Sequence, residues 1–479
     1  MRYPVIFRYG GIALLLNGGF LFLAALVSFL YNDSAFLPLL YTALIALLFG
    51  AFPFIFIPRS HEITNKEGFT IVVASWIFAC IIGMVPFLLW GGEFTLVKAW
   101  FESVSGFTTT GASILTDIEA LPPGLLFWRA STHWIGGVGI IIFVLSVLPS
   151  MGKVGMILYR TEISALAASN FRYRAKKTMQ VIMFVYLGLT VLQMVALMAC
   201  GLNLFDAITH AFSTISTGGF SPKNASIGHY GSVSVETVII IFMGLSGIHF
   251  GLLFITLSGN PMVFLRSTVV KVYLLLLSAG TILTAAAIQG PLYPSWGEAF
   301  RLAAFQVVSI GTSTGFATAD TTLWPHFAQL LLIFFMFQCA CSGSTTGGIK
   351  VDRTVLLWHA LKKRIKKVEH PHAFVKAKID GTAIDDDVLE ATLLFITLFI
   401  VIAFLSTLAL AALGMDSMTA FSASAATLAN VGPGFGLVGS ASNFSIIPDT
   451  GLWILSLNML LGRLEIFGLL LFFLLRYWR

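Results

Sequence analysis

Charge is what this sequence has least of. Asp, Glu, Lys and Arg make up 10% of its 479 residues, where a soluble domain carries about 25%. So little charge excludes a water-covered globule of this length. Cysteine is nearly as scarce, and Cys80, Cys200, Cys339 and Cys341 all lie in or beside apolar runs. The Cys339-Ala340-Cys341 spacing is too short for a zinc knuckle and has no histidine pattern beside it, so the thiols read as structural. His133, His210 and His249 stand far apart with no metal-ligand spacing, which favours packing or hydrogen bonding. No phosphate-cradling loop is present either. The stretch Gly343-Ser344-Thr345-Thr346-Gly347-Gly348-Ile349-Lys350 lacks the required spacing and follows no strand, so the chain is not expected to hydrolyse ATP or to be an enzyme.

Apolar residues supply the rest. They form 57% of the chain, with 43 Phe and 14 Met and a mean hydropathy of +0.91, the composition of an integral membrane protein. A bilayer core needs about 20 apolar residues per helix. By that measure spans are expected near 9–30, 37–57, 69–90, 127–149, 178–200, 235–258, 269–289, 326–349, 388–412 and 450–475. The first of them starts like a signal peptide. However, its apolar run is too long and no small-residue cleavage site closes it, so it reads as a retained span.

The few charges are unevenly placed. With a cytoplasmic N-terminus, four of the 28 Lys and Arg (Lys98, Arg129, Lys223 and Arg301) fall outside and Arg463 falls within a span, which leaves 23 inside. The positive-inside rule then puts both termini in the cytoplasm. It also accounts for the net charge of +6 without nucleic acid, since the basic loops 150–177 and 351–387 lie where lipid headgroups or a cytosolic regulator would meet them.

The outer connections hold the most informative pattern. Four times a short helical stretch runs into a polar turn: Thr108-Thr109-Thr110-Gly111, Ser216-Thr217-Gly218-Gly219-Phe220, Ser313-Thr314-Gly315-Phe316 and Gly432-Pro433-Gly434-Phe435. The steps between Gly111, Gly218, Gly315 and Gly434 are 107, 97 and 119 residues. Each unit reads as span, re-entrant helix, turn, span. Each begins and ends on the cytoplasmic side, so the units are parallel copies. The expected architecture is an all-α membrane protein of ten transmembrane helices and four re-entrant pore helices. An N-terminal pair occupies 1–66, and the repeats occupy 67–175, 176–266, 267–385 and 386–479.

Non-helical backbone at membrane depth is tolerated only when buried in protein or lining a watery path. Four equivalent turns can meet this condition together by surrounding one axis and presenting carbonyls to a dehydrating cation. Glycine permits the necessary backbone angles, and hydroxyls at Thr109, Thr110, Thr217 and Thr314 are hard oxygen donors. No carboxylate lies within the turns, which disfavours a divalent ion. Pro433 makes the fourth turn unlike the rest, because it has no N–H and a fixed φ. Counting 29 residues from each glycine lands at Ile140, Gly247, Ser344 and Arg463. Around Ser344, three glycines and four hydroxyls predict an unwound segment and a gate. An arginine within an apolar span is costly and marks function, and Glu465, two residues on, does not share its helical face.

Taken together, these motifs resemble the membrane subunit of the TrkH/KtrB potassium-uptake family, in its TrkH-type branch with the added N-terminal pair. Its further marks are His133-Trp134-Ile135-Gly136-Gly137-Val138-Gly139, Asn430-Val431-Gly432-Pro433-Gly434 and Gly462-Arg463-Leu464-Glu465-Ile466-Phe467. The resemblance covers essentially the whole chain. It implies a pseudo-fourfold pore in a bacterial inner membrane, with filter glycines at Gly111, Gly218, Gly315 and Gly434. Around them the ion-binding set is Thr109, Thr110, Thr217, Gly219, Thr314, Phe316, Gly432, Pro433 and Phe435. A gating loop is implied over Ala340–Gly348 (Cys341, Ser342, Gly343, Ser344, Thr345, Thr346, Gly347 and Gly348), with the pore arginine at Arg463. It further implies a homodimer on cytosolic TrkA- or KtrA-like nucleotide-binding subunits, with no cofactor in this chain and K⁺ as cargo. Two alternatives stay open: a secondary transporter symporting K⁺ with H⁺ or Na⁺, with Glu465 as its acid, and a structural or receptor protein.

Overall fold

The computed structural model describes residues 2–58, 64–146, 171–370, 378–380, 382–466 and 469. In chain order it begins with a pair, α1 (Tyr3–Tyr31) and α2 (Phe36–Phe56). Four groups follow. The first holds α3 (Asn65–Trp90), a short α4 (Leu96–Phe107) and α5 (Pro123–Ser146). The second holds α6 (Phe171–Ala199), a short α7 (Leu204–Ile215), and then α8 (Val233–Ser246) and α9 (Phe250–Leu257). After α10 (Pro261–Arg266), the third holds α11 (Thr268–Ile288), α12 (Trp296–Gly311), α13 (His326–Phe337) and α14 (Val351–Glu369). The fourth holds α15 (Asp386–Ala412), α16 (Ser417–Leu428) and α17 (Asp449–Arg463). Two-residue strands, Lys378–Ile379 and Thr382–Ala383, pair between α14 and α15. The protein is an all-α membrane protein.

Among the described residues, six helices (α1, α2, α3, α6, α11 and α15) are long and apolar enough to cross a bilayer. Large side chains such as Phe22, Leu48, Phe184, Leu275 and Phe404 lie exposed on them, as lipid-facing surfaces require. The first helix of every group thus lies where apolar run length predicts it. The second helices differ from the continuous spans expected at 235–258, 326–349 and 450–475. α8 and α9 are bent by 105° at their junction. α13 stops at Phe337 and α17 at Arg463. The expected docking loop around 150–170 and the end of the last span beyond Ile466, Leu469 excepted, lie outside the described residues.

These breaks are paired. The Gly247 carbonyl, which a continuous helix would use internally, accepts from the Cys341 amide at 3.0 Å, and the Phe250 amide opening α9 donates to the Gly343 carbonyl at 3.3 Å. The Tyr273 hydroxyl takes the Gly244 carbonyl at 3.1 Å. The bend in group two and the loop in group three therefore satisfy each other's backbone, as buried peptide groups must be satisfied.

The lead pair forms the most extensive helix–helix contact among the described residues. It depends on missing side chains: a Cβ on Gly50 would meet the Leu15 amide at 2.9 Å and the Gly11 carbonyl at 3.0 Å, whereas Gly19 faces open space. Small residues let the backbones approach closely. Gly50→Leu should therefore lower stability in detergent by about 1–3 kcal/mol through overpacking, read as a lower melting temperature, while Gly19→Leu should leave it unchanged.

Candidate functional site

Three of the four short helices start alike, and all four end alike. Thr95, Asn203 and Asp416 cap α4, α7 and α16 by accepting from the amide three residues on. At the other end each helix closes through a left-handed residue: Thr109, Thr217, Ser313 and Asn430, with φ of 52, 55, 52 and 55°. The next amide reaches back five residues, from Thr110 to Ser105 (2.9 Å), Gly218 to Ser213 (2.8 Å), Thr314 to Ser309 (2.8 Å) and Val431 to Ala426 (2.8 Å). This is the Schellman closure, usually made by glycine. Threonine and serine in its place are strained, by about 1–3 kcal/mol each, and such strain persists where the surroundings over-determine it.

The surroundings here are the other turns. Two residues beyond each strained position stands a glycine of positive φ: Gly111, Gly219, Gly315 and Gly432, at 80, 82, 80 and 99°. A Cβ on Gly111 would overlap the Gly218 carbonyl oxygen, and one on Gly219 that of Thr314. One on Gly315 would overlap the Val431 oxygen, and one on Gly432 that of Thr110. Each glycine thus lies against the residue before the next glycine, and the fourth returns to the first. The four turns close a ring.

This ring corrects the register of the sequence count. The partners of Gly111 and Gly315 are Gly219 and Gly432, each four residues past its helix end, instead of Gly218 and Gly434. Gly218 packs against the His133 ring, and Gly434 against Val438 and Ser422. Both stretches offer two glycines, and only the backbone angles choose between them. Phe316 and Phe435 are buried behind the ring: Ser309 donates to the Phe316 carbonyl at 2.7 Å, and Ser422 donates to that of Phe435 at 3.0 Å. Pro433 lies beside Gly315, 2.9 Å from the Cβ position there.

The C-terminal ends of four helices meet at this ring, which gathers their partial negative charge where a cation would gain from it. The expected hydroxyl donors are in part engaged elsewhere. Thr110 Oγ1 pairs with Thr108 at 2.7 Å and accepts from Asn430 Nδ2 at 2.9 Å, while Thr314 pairs with Thr312 at 2.8 Å. Gly218 and Val431, in the same register as Thr110 and Thr314, have no hydroxyl. Backbone carbonyls are the oxygen donors common to all four turns.

Beneath the ring lies the segment between α13 and α14. Its neck is a pair of backbone bonds, Ile349 to Phe337 and Cys339 to Ile349, both 3.0 Å. Its root is held where the Asp352 carboxylate accepts from the Ser342 amide at 2.7 Å, and the Ser344 hydroxyl donates to the Cys341 carbonyl at 2.6 Å. Its tip reaches three of the turns. The Thr345 hydroxyl donates to the Ile215 carbonyl at 3.1 Å and accepts from Thr217 at 3.2 Å. The Gly347 amide donates to Ser313 at 3.2 Å, Gly348 packs by Cys339, and a Cβ on Gly347 would crowd Asn430. Thr346 is buried beside Ser344, with their hydroxyls 2.8 Å apart. Arg463, 2% exposed, donates to the Thr345 carbonyl at 2.5 Å and to the Gly136 carbonyl at 3.2 Å. It thereby ties the loop tip to α5 and to the end of α17. Glu465 pairs instead with Lys350 at 3.0 Å and Arg353 at 2.5 Å, at the root of α14.

Sequence reasoning overlooked the layer behind the ring. Glu102 and Arg129 form a buried ion pair at 2.7 Å, and His133 stacks on Phe220 at 4.0 Å. His210 hydrogen-bonds Ser221 at 3.1 Å through Nε2. The available signal was two opposite charges in a chain that has few, but they stand 27 residues apart on different helices.

A family model described as "TrkH: Cation transport protein" matches residues 42–477. The chain is similar to the Trk system potassium uptake protein TrkH of Salmonella typhimurium, 37% identical over all of both chains. It is also similar to the Trk system potassium uptake protein TrkG of Escherichia coli, 33% identical over 87% of this chain and 86% of that one. The crystal structure of the potassium transporter TrkH from Vibrio parahaemolyticus superposes with a TM-score of 0.90 at 34% identity, covering both chains in full.

The ring register has a direct test in stability. Gly432→Ala places a Cβ against the Thr110 backbone at a φ of 99°, which should cost about 1–2 kcal/mol from the angle alone. Gly434→Ala, at ordinary φ and with side-chain atoms of Val438 and Ser422 as its nearest contacts, should lower the melting temperature by clearly less. Equal losses would undo the register.

Proposed function

The chain belongs to the TrkH family of cation transport proteins, and from that premise we propose that it takes up potassium across the bacterial inner membrane. The path runs through the ring of turns, with the carbonyls of Thr110, Gly218, Thr314 and Val431 and their neighbours replacing the ion's hydration shell. The four repeats around this path span 67–175, 176–266, 267–385 and 386–479. The carrying observation is the closed glycine-to-carbonyl contact around all four turns. A closed ring of non-helical backbone at membrane depth is stable only around a polar path.

The loop 338–350 is the gate. Its tip bonds to the inner faces of turns two and three, and Arg463 holds it there through the Thr345 carbonyl. A fixed positive charge below a cation path opposes flux. In this reading the latch opens when the loop root moves. The root continues directly into α14, whose cytoplasmic end carries Lys362, Lys363, Arg364, Lys366 and Lys367. A cytosolic nucleotide-binding subunit acting on that basic helix, beneath a homodimer of this chain, would move the root. Symport through Glu465 gains no support, because its carboxylate is taken by Lys350 and Arg353.

The test is K⁺ uptake into vesicles reconstituted with the purified protein, with Na⁺ as competitor and with imposed voltage or pH gradients. Uptake should follow the K⁺ gradient and voltage; strict dependence on a proton or sodium gradient would favour symport. Arg463→Ala should raise flux several-fold, and unchanged flux through well-expressed protein would remove the barrier role. Gly315→Ser and Gly219→Ser should lower the K⁺-over-Na⁺ ratio, and an unchanged ratio would remove the filter assignment.

A further inference from the structure

Directly behind the ring, in one quadrant, stands a charged clamp. Glu102 on α4 and Arg129 on α5 are both at most 2% exposed. Arg129 donates through Nε to Glu102 Oε1 at 2.8 Å. Glu102 also accepts from the Ser113 hydroxyl at 3.0 Å and the Ile114 amide at 3.1 Å. The remaining guanidinium nitrogens reach Ser113 Oγ at 3.2 Å and the Ser221 carbonyl at 3.4 Å. Ser113 and Ser221 occupy matched positions, each two residues past its ring glycine, Gly111 and Gly219. The guanidinium also lies 4.0 Å over the ring of Phe220, which in turn stacks on His133.

A buried ion pair is a poor source of stability, because desolvation offsets most of the attraction. The other quadrants show that closing a turn does not need one. In the Glu102 register, nine residues before each ring glycine, they carry His210, Gln306 and Ala423, yet their turns close with the same angles. What the pair adds is a bridge behind the first and second turns made by a planar, rigid fork, which an ammonium cannot reproduce.

On the reading of the ring as the conduction filter, we propose that Glu102 and Arg129 are specificity-determining positioning residues. The pair sets the spacing between the first and second turns, and thereby the discrimination of K⁺ from Na⁺, without touching the ion. Glu102 orients the guanidinium, and Arg129 holds the strands leaving both turns at one distance.

The experiment compares the K⁺-over-Na⁺ uptake ratio, the half-saturating K⁺ concentration, the maximal rate and the melting temperature in reconstituted full-length protein. Arg129→Lys keeps the charge but loses the fork. The double variant Glu102→Leu with Arg129→Met leaves no buried charge, so it folds without an orphaned ion. Both should lose discrimination by about tenfold, the scale on which loosening of a positioned site is felt, while the double variant melts near wild type. A double variant that transports K⁺ with wild-type discrimination would overturn the proposal and leave the pair a packing feature. Gly315→Ser, at a ring position away from this seam, separates the two readings. If it degrades discrimination while the pair variants do not, only the positioning role fails; if it too is silent, the filter reading has failed.

Discussion

Everything in this structure depends on satisfying backbone that is not helical inside a membrane. Each of the four turns exposes N–H and C=O groups that lipid cannot bond, and none could stay there alone. The ring solves the problem collectively. Each glycine lies against a carbonyl of the next turn, and the four left-handed residues before them accept strain because their neighbours leave no other conformation. The first helix of every group packs against its short helix, and the lead pair covers the first group.

The same constraint explains the layer below. A loop of about a dozen residues lies between α13 and α14 without becoming an orphan, because it borrows partners from the break in group two and from the turns above. The break in α8–α9 and the loop are one hydrogen-bonded unit, so moving the loop must also disturb the bend. Arg463 adds a connection to two further groups through two carbonyls. Such a unit has few intermediate arrangements, because its bonds are directional and mostly buried.

The quadrants are not equal. One is braced by an ion pair, one by a histidine–serine contact and two by hydroxyls on phenylalanine carbonyls, and the last carries proline beside its glycine. Four groups built on one plan can differ this way, because each position behind the ring answers to its own neighbours and only the ring backbone answers to the symmetry.

Composition and run length were enough to read the membrane class and the place of the first helix of every group, because lipid imposes one simple rule on every residue it touches. The same rule made Arg463 and the glycine-rich loop conspicuous. Tertiary structure decided the rest. Gly219 and Gly432 replaced Gly218 and Gly434, since a Gly-Gly or Gly-Pro-Gly stretch fits a turn in more than one register and only the neighbouring carbonyl selects one. Glu465 went to Lys350 and Arg353, and Glu102 to Arg129, because partners in a ring of helices are set by which faces meet, and separation along the chain holds no record of that. The break between α8 and α9 has the same origin. The apolar run there was long enough to continue, and at the bend the Gly247 carbonyl and the Phe250 amide take their partners from the loop of another group.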